Sequence, residues 1–445
     1  MKKQPNKKSS SLSFTRRGFL KGFSMSTSGV LLRSLATGLP PAWFLRNHIA
    51  QAQTMQPPQT LILSTSSAGD PVNVNCPGSY VEGIFNNPIL ESRVVSYGQT
   101  RSRAAAPWAD LPGALRQRLA FVHHSSRSSA HPEHKAVMSF HGSVKNEAGN
   151  GSEMFASAMA ELSHAQIGTL QKEPLPLSSG NLSFKGQPLQ SVQPIEIKAL
   201  FASEEGNIAD LRTMRDATLD ALYRDFQSQG TKAQRAFVDR YAASRTQARQ
   251  LGEQLGTLLE RIPVEPGNNN SVSDQVIAAV ALAQLKIAPV ITINIPFGRD
   301  NHNDDDLSVE AAQTTSGVAA IGQLWQELNN AGVQDDVTFA LLNVFGRTPQ
   351  PNAAGGRNHN RHHNVMVAFG SKIQGGVYGG VSDNGRSKSI DPVTGQGVAG
   401  TNGIGVEQTL EAAGKSLARA LNHDEQTVDS RIYGGQLITP FLKTS

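Results

Sequence analysis

Val337-Thr338-Phe339-Ala340-Leu341-Leu342-Asn343-Val344-Phe345, running into Gly346-Arg347-Thr348-Pro349, is the stretch that decides the fold. A short, almost wholly apolar run that ends on turn formers predicts a strand buried on both faces, because a helix would need greater length. The polar loop Arg357-Asn358-His359-Asn360-Arg361-His362-His363 follows, and the chain returns at once to a second apolar run, Asn364 to Phe369. Three imidazoles therefore stand at the end of a core strand. Open α/β sheets hold ligands in the crevice beyond the carboxyl ends of their strands, so this loop lies where chemistry is expected.

The pattern extends upstream. Leu307 to Ala331 carries Val318, Ile321, Trp325 and Leu328 as a core-facing helical stripe, and Gly332 ends it. Before it, Val276 to Lys286 predicts a short helix, and Ile287 to Ile295, rich in β-branched residues, predicts a strand. That strand opens into Gly298-Arg299-Asp300-Asn301-His302-Asn303-Asp304-Asp305-Asp306. Asp304 to Asp306 suit the start of the next helix, as caps and as charges on its dipole. Strand, crossover helix and strand in this order predict parallel pairing.

Farther back, Thr60 to Ser64 predicts the first strand, with Asp70 in the loop at its end. Leu119 to Val122 predicts another, leading into His123, His124, His131, His134 and His141, five of the chain's twelve histidines. Such histidines serve as hydrogen-bonded structural residues as well as ligands. Gly151 to His164 and Asn207 to Ile262 show helical spacing, the latter through Leu211, Met214, Leu219, Leu222, Phe226, Phe237, Leu251 and Leu259. Lys172 to Pro194 reads as a long loop or small hairpin, and Pro263 to Ser273 as a linker. Downstream, Gly375 to Gly380 reads as a glycine-dense turn and Val406 to Leu421 as a final helix.

The basic excess is local. Residues 1–53 carry nine Lys and Arg with no Asp or Glu, so the rest has 32 basic against 36 acidic residues and a net charge of about −4. A folded body without a basic footprint excludes nucleic acid as a partner. One cysteine, Cys76, excludes an intramolecular disulfide and a Cys-based zinc site.

Ser13-Phe14-Thr15-Arg16-Arg17-Gly18-Phe19-Leu20-Lys21 resembles a twin-arginine export signal, a receptor-read address. A weakly apolar stretch, Gly29 to Phe44, follows, and Ala50-Gln51-Ala52 suits a signal peptidase. The expectation is a signal peptide over 1–53, recognition by the twin-arginine translocase, and a periplasmic or secreted product. Arg33 interrupts the apolar stretch, so no stable membrane span is expected after cleavage.

Three loops converge on one sheet edge in this topology: Asp70; Asp300 with His302; and His359, His362 and His363. Carboxylate and imidazole together suit a divalent ion such as zinc, manganese or calcium. The metal ligands expected are Asp70, Asp300, His302, His359 and His362. Arg347 offers a planar fork for phosphate, sulfate or carboxylate, with a salt bridge to a neighbouring loop as its structural alternative. Ser128 and Ser129, near His131, are candidate nucleophiles.

Phe345-Gly346-Arg347-Thr348, the histidine loop, Gly375-Gly376-Val377-Tyr378-Gly379, Gly298-x-Asp300-x-His302 and the leader together resemble the exported bacterial family catalogued as domain of unknown function 1501. That family is similar in fold to the alkaline phosphatase and sulfatase superfamily. The resemblance implies an α/β fold with a mixed, mostly parallel central sheet flanked by helices. It also implies one domain over 54–445 with a helical insertion at about 200–265, and metal-dependent hydrolysis of phosphate or sulfate esters. Asp300, His302 and His359 match the family's acidic and histidine positions, Arg347 its arginine, and Asp70 the acidic residue after the first strand. Val344 stands where the family has an acidic residue, and Asn358-His359 where it has Asp-His. These departures carry the alternative, a non-catalytic envelope protein that binds or assembles with an envelope component and has a degenerate metal site.

Overall fold

Strands buried on both faces need helices on both sides, and the computed structural model of the chain has that arrangement. It describes residues 58–177, 182–201, scattered positions within 214–235, and 256–263, 270–297, 300–400 and 403–443. The leader lies outside the described residues, as do Gly298 and most of the helical stripe from Leu211 to Leu251. Of the two compact units, one comprises Thr54–Thr213 with Leu251–Ser445, and the other takes in Met214–Gln250. The unit of Thr54–Thr213 with Leu251–Ser445 holds the central sheet and the loops at its edge. Among the described residues no helix is long and apolar enough to cross a membrane.

Its centre is a seven-stranded sheet. The strands are β1 (Thr60–Ser64), β2 (Leu119–His124), β3 (Leu175–Pro176), β4 (Val290–Ile293), β5 (Val337–Leu341), β6 (Asn364–Phe369) and β7 (Gly376–Tyr378). Their spatial order is β7-β2-β6-β5-β1-β4-β3. β1 pairs in parallel with β4 and β5, β4 with β3, and β7 with β2, whereas β6 runs antiparallel to both β2 and β5. The sheet is thus mixed and mostly parallel.

Alternation along each strand sorts the core into two layers. Ile62, Phe121, Ile291, Phe339 and Val367 face one cluster, with Val276, Val280, Ile321 and Leu324 from α2 (Val272–Gln284) and α3 (Ser308–Asn330). Leu61, Leu63, Val122, Ala340 and Met366 face the other, with Phe155, Met159, Leu410 and Leu417 from α1 (Phe155–Ile167) and α4 (Thr409–Ala420). Helix, sheet and helix form three layers.

Local chemistry explains the element ends. Ser271 and Asp274 close a reciprocal capping box on α2. At α3 the acidic run works as a helix start: Asp304 accepts from the Val309 and Glu310 amides, and Asp306 from the Ser308 amide. Gly376–Tyr378 is an edge strand instead of the expected turn. Glycine's weak strand preference is overcome there by pairing with the fully buried β2. A hairpin, Ser92–Tyr97 with Thr100–Ala105, was absent from the expectations, although Gly98 at φ 53° supplies a left-handed turn residue for it.

The single antiparallel strand decides where the site lies. The loops after β1, β2, β4 and β5 all leave from carboxyl ends on one edge. Because β6 is reversed, its amino end is on that same edge, and the loop bearing His359 arrives there too.

Candidate metal centre

The segment after β5 forms a short antiparallel ribbon, Gly346–Arg347 against His359–Asn360, with Arg347 opposite His359. Asn73 clamps its other side, accepting from the Arg347 amide (2.8 Å) and donating to the Arg347 carbonyl (2.9 Å). Gly346 has to be glycine, since a Cβ there would fall 2.3 Å from the His363 carbonyl oxygen and 2.7 Å from the Asn73 side chain. Gly69 is equally constrained: φ is +71°, and a Cβ would sit 1.9 Å from the Phe345 ring.

A buried ion pair holds the two site loops together. Arg357 and Glu310, both 0 % exposed, meet at 2.7 Å, and Glu310 also accepts from Asn75 (2.7 Å) and Asn301 (2.8 Å). The Arg357 amide donates to the Asn301 carbonyl at 3.0 Å. The loop carrying Asp300 and His302 is thereby fastened to the loop carrying His359.

These supports bring Asp300, His302 and His359 together, with one ligand atom from each within 4.8 Å of the others. The Asp300 carboxylate accepts from His302 Nδ1 and from Arg347 Nη1 (3.3 Å). His359 donates from Nδ1 to the Ser129 carbonyl (2.5 Å), which fixes the tautomer and leaves Nε2 bare. That Nε2 is buried and has no hydrogen-bond partner among the described residues. The ring stacks on Phe345 at 4.1 Å and meets His302 edge-on at 4.6 Å.

Electrostatics favour ligation. Burial, opposed by the Ser129 bond and reinforced by Arg347 and the neighbouring histidines, holds His359 below the usual imidazole range, so it is neutral. Burial works to raise the Asp300 carboxyl, but the His302 bond and the Arg347 charge outweigh it, and the carboxyl lies below its ordinary range. A neutral imidazole with a bare nitrogen beside an ionised carboxylate is what a divalent d-block ion accepts. The donor set fits such an ion.

The remaining expected residues are placed differently. Asp70 is buried (1 %), accepts from Asn343 Nδ2 at 2.5 Å, and bears on Arg347 by charge. It is outside the donor group. So is His362, whose Nδ1 accepts from Arg386 at 3.1 Å, so that lone pair is engaged. His363 packs against His123 instead. Arg347 is fully buried: Nε donates to the Gly69 carbonyl (2.9 Å) and Nη2 to the Ala68 carbonyl (3.0 Å). It braces Asp300 from behind, the arrangement of the salt-bridge alternative to an anion-binding fork. Ser129 contributes its carbonyl to His359, while Ser128 is buried. His131 stands beside the group, with its Nδ1 donating to the Ser67 carbonyl at 2.7 Å.

Sequence reading missed Asn73, Glu310 and the carbonyls of Ser67 and Ser129. Backbone carbonyls carry no sequence signal, and Asn73 lies in an unremarkable four-residue helix, Val72–Asn75. Glu310 in the first turn of α3 reads as an ordinary dipole partner.

Residues 116–402 match the family model described as protein of unknown function, DUF1501. The chain belongs to that family. A search of curated proteins finds no match. The matched span holds β2, β4, β5 and β6 together with Asp300, His302, Arg347 and His359.

Proposed function

We propose that this chain is an exported, periplasmic or secreted, metal-dependent hydrolase of phosphate or sulfate esters with an alkaline phosphatase-like fold. The observation that carries the reading is the bare, buried Nε2 of His359 next to His302 and the ionised Asp300. These three would hold one divalent ion, zinc or manganese before calcium, because two of the three donors are nitrogen. Bound there, such an ion supplies Lewis-acid polarisation and a water acidified towards neutrality. The protein's own groups orient the ligands. Arg347 keeps Asp300 ionised and in place, Ser129 aims His359, and Phe345 covers one ring face.

The leader supports export by the twin-arginine translocase, a route for proteins folded before translocation. A second reading, a non-catalytic envelope protein, is favoured by one specific observation: the Arg347 guanidinium is engaged by protein acceptors and offers no open anion fork.

The deciding experiment measures hydrolysis of p-nitrophenyl phosphate and p-nitrophenyl sulfate by the mature protein, metal-free and reloaded with zinc, manganese or calcium. Metal-dependent turnover that is lost in His359→Ala and Asp300→Ala supports the hydrolase. About one bound equivalent of metal with no turnover of either ester supports the binding protein.

A further inference from the structure

Beyond the three clustered donors, the loop after β2 carries a histidine with the same outer support as His359. We infer that His131 is a fourth protein ligand to the ion held by Asp300, His302 and His359, making a set of three imidazoles and one carboxylate. This inference rests on the metal-centre reading above.

Ring geometry is the first support. His131 and His359 have centroids 4.7 Å apart at an interplanar angle of 88°, and His302 and His359 have centroids 4.6 Å apart at 66°. His131 therefore approaches His359 at the ring spacing of His302, but it lies outside the set whose ligand atoms all fall within 4.8 Å of one another, so ligation requires its ring to swing inward. Steeply inclined rings at that spacing let nitrogen donors converge on one point without ring overlap.

The outer hydrogen bonds are the second. Metal-bound histidines usually give their other N–H to a carbonyl or carboxylate. His359 Nδ1 donates to the Ser129 carbonyl and His131 Nδ1 to the Ser67 carbonyl, so each ring keeps Nε2 as its available donor. Ser129 and His131 are two residues apart, so one loop both aims His359 and delivers His131. Phe345 sits 5.0 Å from the His131 ring and 4.1 Å from the His359 ring, a shared apolar wall.

Three imidazoles and a carboxylate leave one position for solvent or substrate in a five-coordinate ion, which is compatible with hydrolysis. His131 thus belongs with the ligands, and Ser128 and Ser129 lose it as a base.

The test uses the full mature chain loaded with zinc for affinity and with cobalt(II) for its visible spectrum, which reports coordination number. His131→Ala and His131→Gln are expected to keep their far-ultraviolet circular dichroism, to bind the ion at least about tenfold more weakly, and to show an altered cobalt band. The glutamine variant covers the case in which alanine disturbs the loop. If both variants match wild type in affinity and spectrum while His302→Ala loses the ion, the fourth ligand is overturned and the three-residue site survives. If wild-type protein binds no ion, the site and the inference fall together.

Discussion

Two histidine pairs lie at the same edge of the sheet, and they share a loop: His359 faces His302, and His363, four residues on, faces His123. The His123–His363 rings are nearly parallel, 5.2 Å apart at 7°, and both are fully buried. Their polar atoms form a closed chain. His123 Nε2 donates to the Pro77 carbonyl, one N–H is shared between His123 Nδ1 and His363 Nε2 at 2.9 Å, and His363 Nδ1 accepts from Asn73 at 3.3 Å. The His302–His359 pair is inclined, partly exposed, and keeps Nε2 of His359 bare. In these two pairs the difference is saturation: the His123–His363 nitrogens are all engaged, whereas His359 Nε2 has no partner among the described residues and lies beside a carboxylate.

Breaking the ion pair that ties the two site loops together should have the largest effect. Arg357→Ala leaves the Glu310 carboxylate buried without its cation, which costs about 3–5 kcal/mol; urea unfolding of the variant would check this. An unchanged denaturation midpoint would mean that the ion pair is not the strut between the loops.

Next comes the contrast between the pairs. His302→Ala with His359→Ala should reduce retained metal to background while the metal-free protein unfolds within about 0.5 kcal/mol of wild type, as for partly exposed sites. His363→Ala should do the opposite, losing about 1–3 kcal/mol by stranding buried partners while metal stoichiometry stays at the wild-type value. Metal analysis beside unfolding curves reads both. Equal behaviour of the two variants would erase the distinction.

The smallest effect is a slope. Burial holds His123, His124, His134 and His423 down at about 4, from an ordinary value of 6.5. A histidine whose folded pKa is depressed binds fewer protons than it does unfolded. Its contribution is therefore complete above about pH 6.5, declines as pH falls from there to about 4, and then levels off. His423→Gln, where glutamine can still meet the Ser163 hydroxyl now 3.0 Å from Nε2, should flatten that decline slightly. Unfolding midpoints at pH 7, 5.5 and 4.5 would show it, and a slope identical to wild type would remove His423 from the acid response.

Much of the fold could be read in the chain. Thr60–Ser64, Leu119–His124 and Asn364–Phe369 are buried throughout, as apolar runs between turn formers predict. Ser308–Asn330 follows its stripe within one residue at each end of the expected span. Gly376–Tyr378 was illegible because its pairing partner, not its composition, makes it a strand. In the site, Asp300, His302 and His359 stood out by residue type and position. Asp70 and His362 stood out equally, and nothing local distinguished them from the clustered donors.

Hydrophobic period and turn chemistry are properties of neighbouring residues, and from them follow the α/β class, the strand ends and the loops that carry polar side chains. Donor saturation is set by contacts between distant segments. The carbonyl that frees His359 Nε2 lies 230 residues away, and the one that orients His131 lies 64 away. Only the folded sheet, with β6 reversed, brings those groups to one edge and leaves a nitrogen there without a partner among the described residues.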